Sequence, residues 1–363
     1  MNNISDIHNC YGCGVCSKAC PQKIIDLRLN EDGFYEPYIT DVSKCTECRL
    51  CRSVCSFLTD DLALAEQPKA CFAAWSKDND VRLRCSSGGV GFEIGRTLLG
   101  QGFKVCGVRY DAEAGRAEHY VATTAEELMP SMGSKYIQSY TVNGFSEIDR
   151  KQKYLVAGTP CQIDSFRRYI RKFHVEDNFV LMDFFCHGVP SMWMWQKYIC
   201  HAAEKAGKVT YVSWRNKQFG WHDSWAMGIN GLPLSRWTQG DAFYKLFLGN
   251  YCLNKPCYFK CKFKYDHSSA DIRIGDFWGK TYKDDERGVS GAIAFTQRGT
   301  EILESTNCHF VEHPFEVVGE GQIKSAVAYK PLNRVIQWLL NRRWVSIPML
   351  MLPFSLVKAI KKK

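Results

Sequence analysis

The sequence has no uninterrupted apolar run of about 18 residues, which excludes a conventional membrane-spanning helix. Its opening, MNNISDIHNC, has neither the basic stretch nor the apolar core of a secretory signal. Only 28 Gly and 12 Pro occur among 363 residues, too few for a fibrous or low-complexity chain, and 45% are hydrophobic, too many for a disordered one. No GxGxxG occurs, so a dinucleotide fingerprint of the Rossmann type is absent. The segment closest to a Walker loop, Gly275-Asp-Phe-Trp-Gly279-Lys280-Thr281, is one residue short between its glycines and holds two bulky aromatics, which excludes ATP binding there. What remains is a globular, cytoplasmic chain of two or three domains.

Cysteine is plentiful: 18 residues, eight of them between Cys10 and Cys55. In a reducing compartment such a density points to metal or redox chemistry rather than to disulfides. Cys10, Cys13, Cys16 and Cys20 recur as Cys45, Cys48, Cys51 and Cys55, each 35 positions further on. Both runs read C-x2-C-x2-C-x3-C, the first closed by Pro21 and the second by Ser56, the spacing of bacterial two-cluster ferredoxins. Three sulfurs on one tight loop wrap one face of an Fe4S4 cube, and the fourth, on the helix that follows, points at the other cube. The spacing therefore assigns one 4Fe-4S cluster to Cys10, Cys13, Cys16 and Cys55, and a second to Cys45, Cys48, Cys51 and Cys20. A zinc site needs only two CxxC pairs and not a third ligand at the same short interval. Between the runs, IDLRLNEDGFYEPYI reads as a hairpin turning at Asp32-Gly33.

Lys and Arg outnumber Asp and Glu by 47 to 38, a formal charge of +9. An oxidised cube with four thiolates carries about −2, so two or three cubes and a dinucleotide offset most of that excess, and no nucleic-acid partner is required. Lys358 and Lys361 to Lys363 read as a solvated tail. The apolar stretch before them, 344–356, is too short to span a bilayer and reads as docked on the body in preference to a membrane surface.

The fold class expected is α+β: a two-cluster ferredoxin domain of the bacterial type (1–58), a linker (59–69) and a mixed α/β flavin-binding body (70–330, in parts 70–150 and 151–330). A C-terminal helix and basic tail follow (331–363). Strands are expected at 70–75, 103–109, 154–158, 179–185, 208–214, 271–276 and 289–296, and helices at 86–99, 124–129, 162–173, 191–206 and 331–341. Clusters move one electron at a time, and flavin is the usual converter to two-electron chemistry. Ser86-Ser87-Gly88-Gly89 ahead of a helix fits a phosphate cradle and equally an ordinary helix start. Gly133-Ser134-Lys135-Tyr136 offers a hydroxyl, an ammonium and a stacking ring, or a plain loop. Cys161, Cys186, Cys257 and Cys261 come from three strand-end turns, which suits a further cube or four small buried hydrophobes. His187 fits either a proton donor or a hydrogen-bonded turn residue.

Taken in order, SSGGV, GSKYIQS, AGTPCQI, FFCHGVPS, CYFKCKFK and DIRIGDFWG resemble the beta-subunit family of coenzyme F420-reducing hydrogenases and F420-dependent dehydrogenases, in its version with a two-cluster ferredoxin domain. The body is also similar to 7-hydroxymethyl chlorophyll a reductase. The resemblance implies an FAD-containing oxidoreductase that passes electrons between iron–sulfur clusters and coenzyme F420 or another two-electron small molecule, alongside a redox partner protein or subunit. It implies that Ser86 to Gly89, Gly133 to Tyr136, Thr159, and Gly275, Asp276, Phe277 and Trp278 surround the FAD. It further implies that Cys161, Cys186, Cys257 and Cys261 hold a third 4Fe-4S cluster. His187, singled out by its place beside Cys186, is the candidate catalytic residue. The family spaces the last pair CxxC, whereas three residues separate Cys257 from Cys261, which sets Cys257 out of the family's register.

Overall fold

The computed structural model describes residues 2–360, so Lys361 to Lys363 of the basic tail lie outside them. Its largest element is a nine-stranded mixed sheet. Four neighbouring strands, Lys104–Asp111, Tyr154–Ala157, Phe179–Phe184 and Ile272–Asp276, run parallel at its centre. They are covered on both faces, and Leu155, Val156, Val180, Leu181 and Ile272 are fully buried, as a parallel core requires. Antiparallel strands flank the four: Ser290–Ala294, Ala70–Ser76 and Cys308–Glu312 on one side, Arg116–Ala122 on the other, with Ser139–Tyr140 closing that edge. The carboxyl ends of the parallel strands therefore open at one edge of the sheet, where α/β folds place their sites.

The turn from Cys85 to Gly89 stays outside the helix expected from Ser86, which begins at Val90 and runs to Gly100. Gly89 is left-handed (φ 88°), and a Cβ on Gly88 would stand 2.3 Å from the Ala74 carbonyl oxygen and 2.8 Å from the Ser290 nitrogen. Only glycine lets this turn lie flat against the sheet. After the strand Tyr154–Ala157, the helix Pro160–Lys172 starts with Pro at its first position, and Gln162 Oε1 accepts from the Thr159 N–H at 2.8 Å.

A second core gathers Trp195, Trp214, Phe243 and Tyr244 beneath a small sheet of Val212–Ser213, Ala226–Ile229 and Leu232–Arg236. The strand expected at 208–214 is only its two-residue edge. Ile347 and Leu350, from the C-terminal helix Ile347–Ile360, bury into the same core, so this end of the apolar segment is docked. Among the described residues no helix is long and apolar enough to cross a membrane.

The cysteine-rich module repeats in conformation as well as in sequence. Gly12 and Gly14 have positive φ (65° and 73°), and so do their counterparts Glu47 and Arg49 (52° and 62°). In the first loop a Cβ at Gly12 would meet Gln138 and Tyr35 at 2.3 Å, and one at Gly14 would meet Thr141 at 1.9 Å. The second loop is exposed, which explains why side chains are accommodated there. Between the loops stands the expected hairpin, Ile25–Leu29 paired with Tyr35–Ile39. The module is fastened to the body at several points. Gln138 accepts from the Tyr35 N–H at 2.8 Å and donates to the Tyr11 carbonyl at 3.2 Å, while Asn254 donates to the Cys10 carbonyl at 3.0 Å. Lys262 Nζ donates to the carbonyls of Ser56, Thr59 and Asp61 at 3.0, 2.8 and 2.7 Å.

Candidate functional site

Twelve of the cysteines form three groups of four, each around its own void. The first group is Cys10, Cys13, Cys16 and Cys55, around about 20 Å³. The second is Cys20, Cys45, Cys48 and Cys51, around a void of similar size. In both, the fourth cysteine of one run stands with the first three of the other. The third group, Cys161, Cys186, Cys257 and Cys261, surrounds about 40 Å³. Cys257 is not displaced by the longer spacing. It lies within the short helix Lys255–Phe259, and Cys261 follows four positions later, just past the helix end, so one turn returns both sulfurs to the same side.

Burial, reinforced by neighbouring thiols, pushes Cys10 and Cys16 well above the ordinary thiol range. Burial also raises Cys55 to about 11 and Cys257 to about 12, the latter helped by Cys186 and Cys261. Burial thus keeps these sulfurs as neutral thiols unless a multivalent cationic partner favours the thiolate, which an iron–sulfur core would do. Among the described residues no three His, Cys, Asp or Glu side chains converge to hold a single metal ion. The quartets instead stand around their voids, an arrangement that fits a cube.

At the carboxyl ends of the parallel strands lies a cavity of about 410 Å³, within the usual range for a cofactor or drug-sized ligand. Ser86, Ser87 and Gly89 form one wall, and Gly133, Ser134, Lys135 and Tyr136 another. The Ser86 hydroxyl accepts from the Ser134 N–H at 2.8 Å, which joins the two loops. Thr159, His187, Gly275, Asp276 and Trp278 complete the residues expected here. Two do not face the cavity. Gly88 lies flat against the sheet, and Phe277 is buried in a core cluster with Cys71, Ala73 and Trp221.

His187, the candidate catalytic residue, lies on the cavity wall. Its Nε2 lies 3.2 Å from the Phe247 carbonyl, and burial, helped by the Lys264 ammonium, pushes its pKa down to about 4. Lys135 is held by the carbonyls of Pro130, Met132 and Gly133 at 2.7, 2.9 and 3.0 Å, and burial lowers it to about 7.

Arg215, which drew no notice in the sequence, organises the far wall. It pairs with both oxygens of Asp276 at 3.0 and 3.2 Å, donates to the Tyr136 hydroxyl at 3.2 Å, and lies 4.6 Å from the Trp225 ring centre. Asp276 also accepts from Trp221 Nε1 at 2.8 Å, so its carboxylate is committed. No local pattern marks Arg215, whose partner lies 61 positions away. Lys264 stands inside the CYFKCKFK segment, where nothing local sets it apart from Lys260 and Lys262.

Three of these sites adjoin: the first void, the third void and the large cavity. Tyr11 lines both the first and the third void, with its hydroxyl donating to the Lys260 carbonyl at 2.5 Å and its ring edge-on to Phe57 and Phe263. Thr159, Gln162, Cys186, Gly188 and Lys264 line both the third void and the large cavity.

Residues 9–58 match the 4Fe-4S dicluster domain. Residues 71–144 match the coenzyme F420 hydrogenase/dehydrogenase beta subunit N-terminal family, and residues 151–312 match its C-terminal counterpart. No curated protein sequence matches the chain. Among solved structures, the xenon-derivatised F420-reducing NiFe hydrogenase complex from Methanosarcina barkeri contains a similar chain, 18% identical with a TM-score of 0.47, the match covering 72% of this chain and 91% of that one. With both halves of one family matched in order behind a dicluster module, this chain belongs to the coenzyme F420 hydrogenase/dehydrogenase beta-subunit family.

Proposed function

We propose that the protein is an iron–sulfur flavoprotein oxidoreductase that holds three 4Fe-4S clusters and one FAD, and exchanges electrons with coenzyme F420 or another two-electron small molecule. The observation that carries this reading is the arrangement of the sites: a quartet with an exposed member, Cys48, a second quartet in which Cys10 and Cys16 are buried and which Tyr11 borders, and a third quartet that shares Tyr11 with it and Cys186 with the large cavity. When bound, the cubes would carry single electrons and the flavin would convert them to two-electron exchange. The protein's own part is to hold the sulfurs, to bring the third quartet against the cavity, and to keep water from the path with Tyr11, Phe57 and Phe263. Lys135, with the N-terminus of the helix Val90–Gly100, suits the phosphates of a dinucleotide.

The test is anaerobic purification with iron and sulfide reconstitution. About twelve irons and one releasable FAD per chain are expected; colourless protein carrying zinc would refute the reading. Cys48→Ala should lose about four irons and keep most of its FAD, because the second quartet shares no residue with the cavity.

Lys135 gives the cavity a pH dependence. A phosphate beside it favours the ammonium and raises its pKa above the value of about 7 in the empty cavity, so binding takes up a proton. FAD affinity of the apoprotein should therefore fall as pH rises above 7, by at most about tenfold per unit. Flavin fluorescence titrations at pH 6 to 9 check this, and Lys135→Met should flatten the profile.

The exposure of Cys48 favours a second reading, an electron-transfer subunit that docks a partner enzyme and has no substrate of its own. Reduction of the isolated protein by NAD(P)H or reduced F420 separates the two, since a pure relay accepts electrons from neither.

A further inference from the structure

Five cationic side chains are buried among the described residues: Arg82, Arg167, Arg215, Lys264 and Arg273. Four have a carboxylate within salt-bridge distance, respectively Asp285, Asp271, Asp276 and Asp183 for the arginines. Lys264, only 6% exposed, has none. Its Nζ donates instead to two main-chain carbonyls, Cys186 at 2.5 Å and His187 at 3.1 Å. A charge withdrawn from water without an opposite charge is costly, and two neutral carbonyls do not supply one. The side chain lines both the third quartet's void and the large cavity.

We propose that Lys264 is the built-in countercharge of the third cluster and sets how readily that cluster takes an electron. The inference rests on the reading that Cys161, Cys186, Cys257 and Cys261 hold a 4Fe-4S cube. Such a cube with four thiolates carries about −2 when oxidised and about −3 when reduced. In the step at issue it gains one electron from a reduced cube of the module, which is itself oxidised by one, and no bond or proton is exchanged. A fixed ammonium favours the more negative state, so it raises the potential of this cluster more than that of either module cube. Neither module quartet includes Lys264 among its surroundings.

The experiment is a dithionite titration of the full-length, reconstituted protein, followed by EPR. In Lys264→Met, with iron retained, reduction of the third cluster should become at least tenfold less favourable, a midpoint lower by about 59 mV for a one-electron couple, while the two module clusters shift less. Lys264→Arg should return the midpoint toward the wild-type value. Should Lys264→Met lose iron, the same measurement is made on Lys264→Gln, which keeps a donor for the carbonyls but no charge. An unchanged third midpoint in a fully loaded neutral variant, or an equal shift of all three, overturns the proposal. Wild-type protein with about eight irons and two EPR centres sinks the third cluster itself, a distinct failure.

Discussion

Asp183→Ala should destabilise the protein by about 3–5 kcal/mol, the usual consequence of removing one partner from a fully buried ion pair. Arg273 meets Asp183 through two bonds, Nε to Oδ1 at 2.7 Å and Nη2 to Oδ2 at 2.8 Å, with both side chains wholly inaccessible. The two residues stand opposite each other on adjacent parallel strands. Arg273 also donates to the carbonyls of Tyr265 and His267 at 2.7 and 2.9 Å, and Ser268 donates to Asp183 at 2.7 Å. The pair therefore holds the centre of the sheet and the loop that follows Lys264. Without the carboxylate, a guanidinium remains in the interior with no opposite charge. Urea midpoints on samples matched for cofactor load measure the loss, and a change below about 1 kcal/mol would show that water reaches the arginine. Asp183→Leu combined with Arg273→Met should recover much of it, because an apolar pair leaves no charge stranded.

The second large effect is expected at the junction between the third quartet and the cavity. Cys186→Ala removes a sulfur that borders both, so iron should fall by about four per chain while FAD stays bound. Reduction of the flavin by electrons entering through the module should slow by orders of magnitude in anaerobic stopped-flow. Direct reduction by a two-electron donor should persist, since that route does not use the cluster. Cys200→Ala, on an exposed cysteine outside all three groups, is the control. Wild-type flavin reduction through the module in Cys186→Ala would mean that electrons bypass the third quartet.

The cysteine runs were legible because their information is local. Three ligands fall within seven residues, and the 35-residue repeat announces the partner loop. The central strands were legible for a similar reason, since short apolar segments such as Tyr154–Ala157 and Phe179–Phe184 read directly as buried strands. Arg116–Ala122 was not, because its buried Glu118 and His119 disguise a strand whose carboxylate is satisfied by Arg109 and Arg116. The helix expected from Ser86 was placed four residues early, because the sequence does not show how close the sheet lies to Gly88. Arg215 and the isolation of Lys264 from any carboxylate depend on which distant segments meet, and no spacing rule encodes that.

The fastenings between module and body bear on how charge crosses the molecule. Gln138, Asn254 and Lys262 grip the first loop, the hairpin and the start of the connector through main-chain carbonyls and N–H groups. The module is thus moored and not a swinging arm. No tethered diffusion separates the Tyr11 side of the first void from the third, so thickening the solvent should leave that hop untouched, and any delivery by diffusion ends at the outer rim around Cys48.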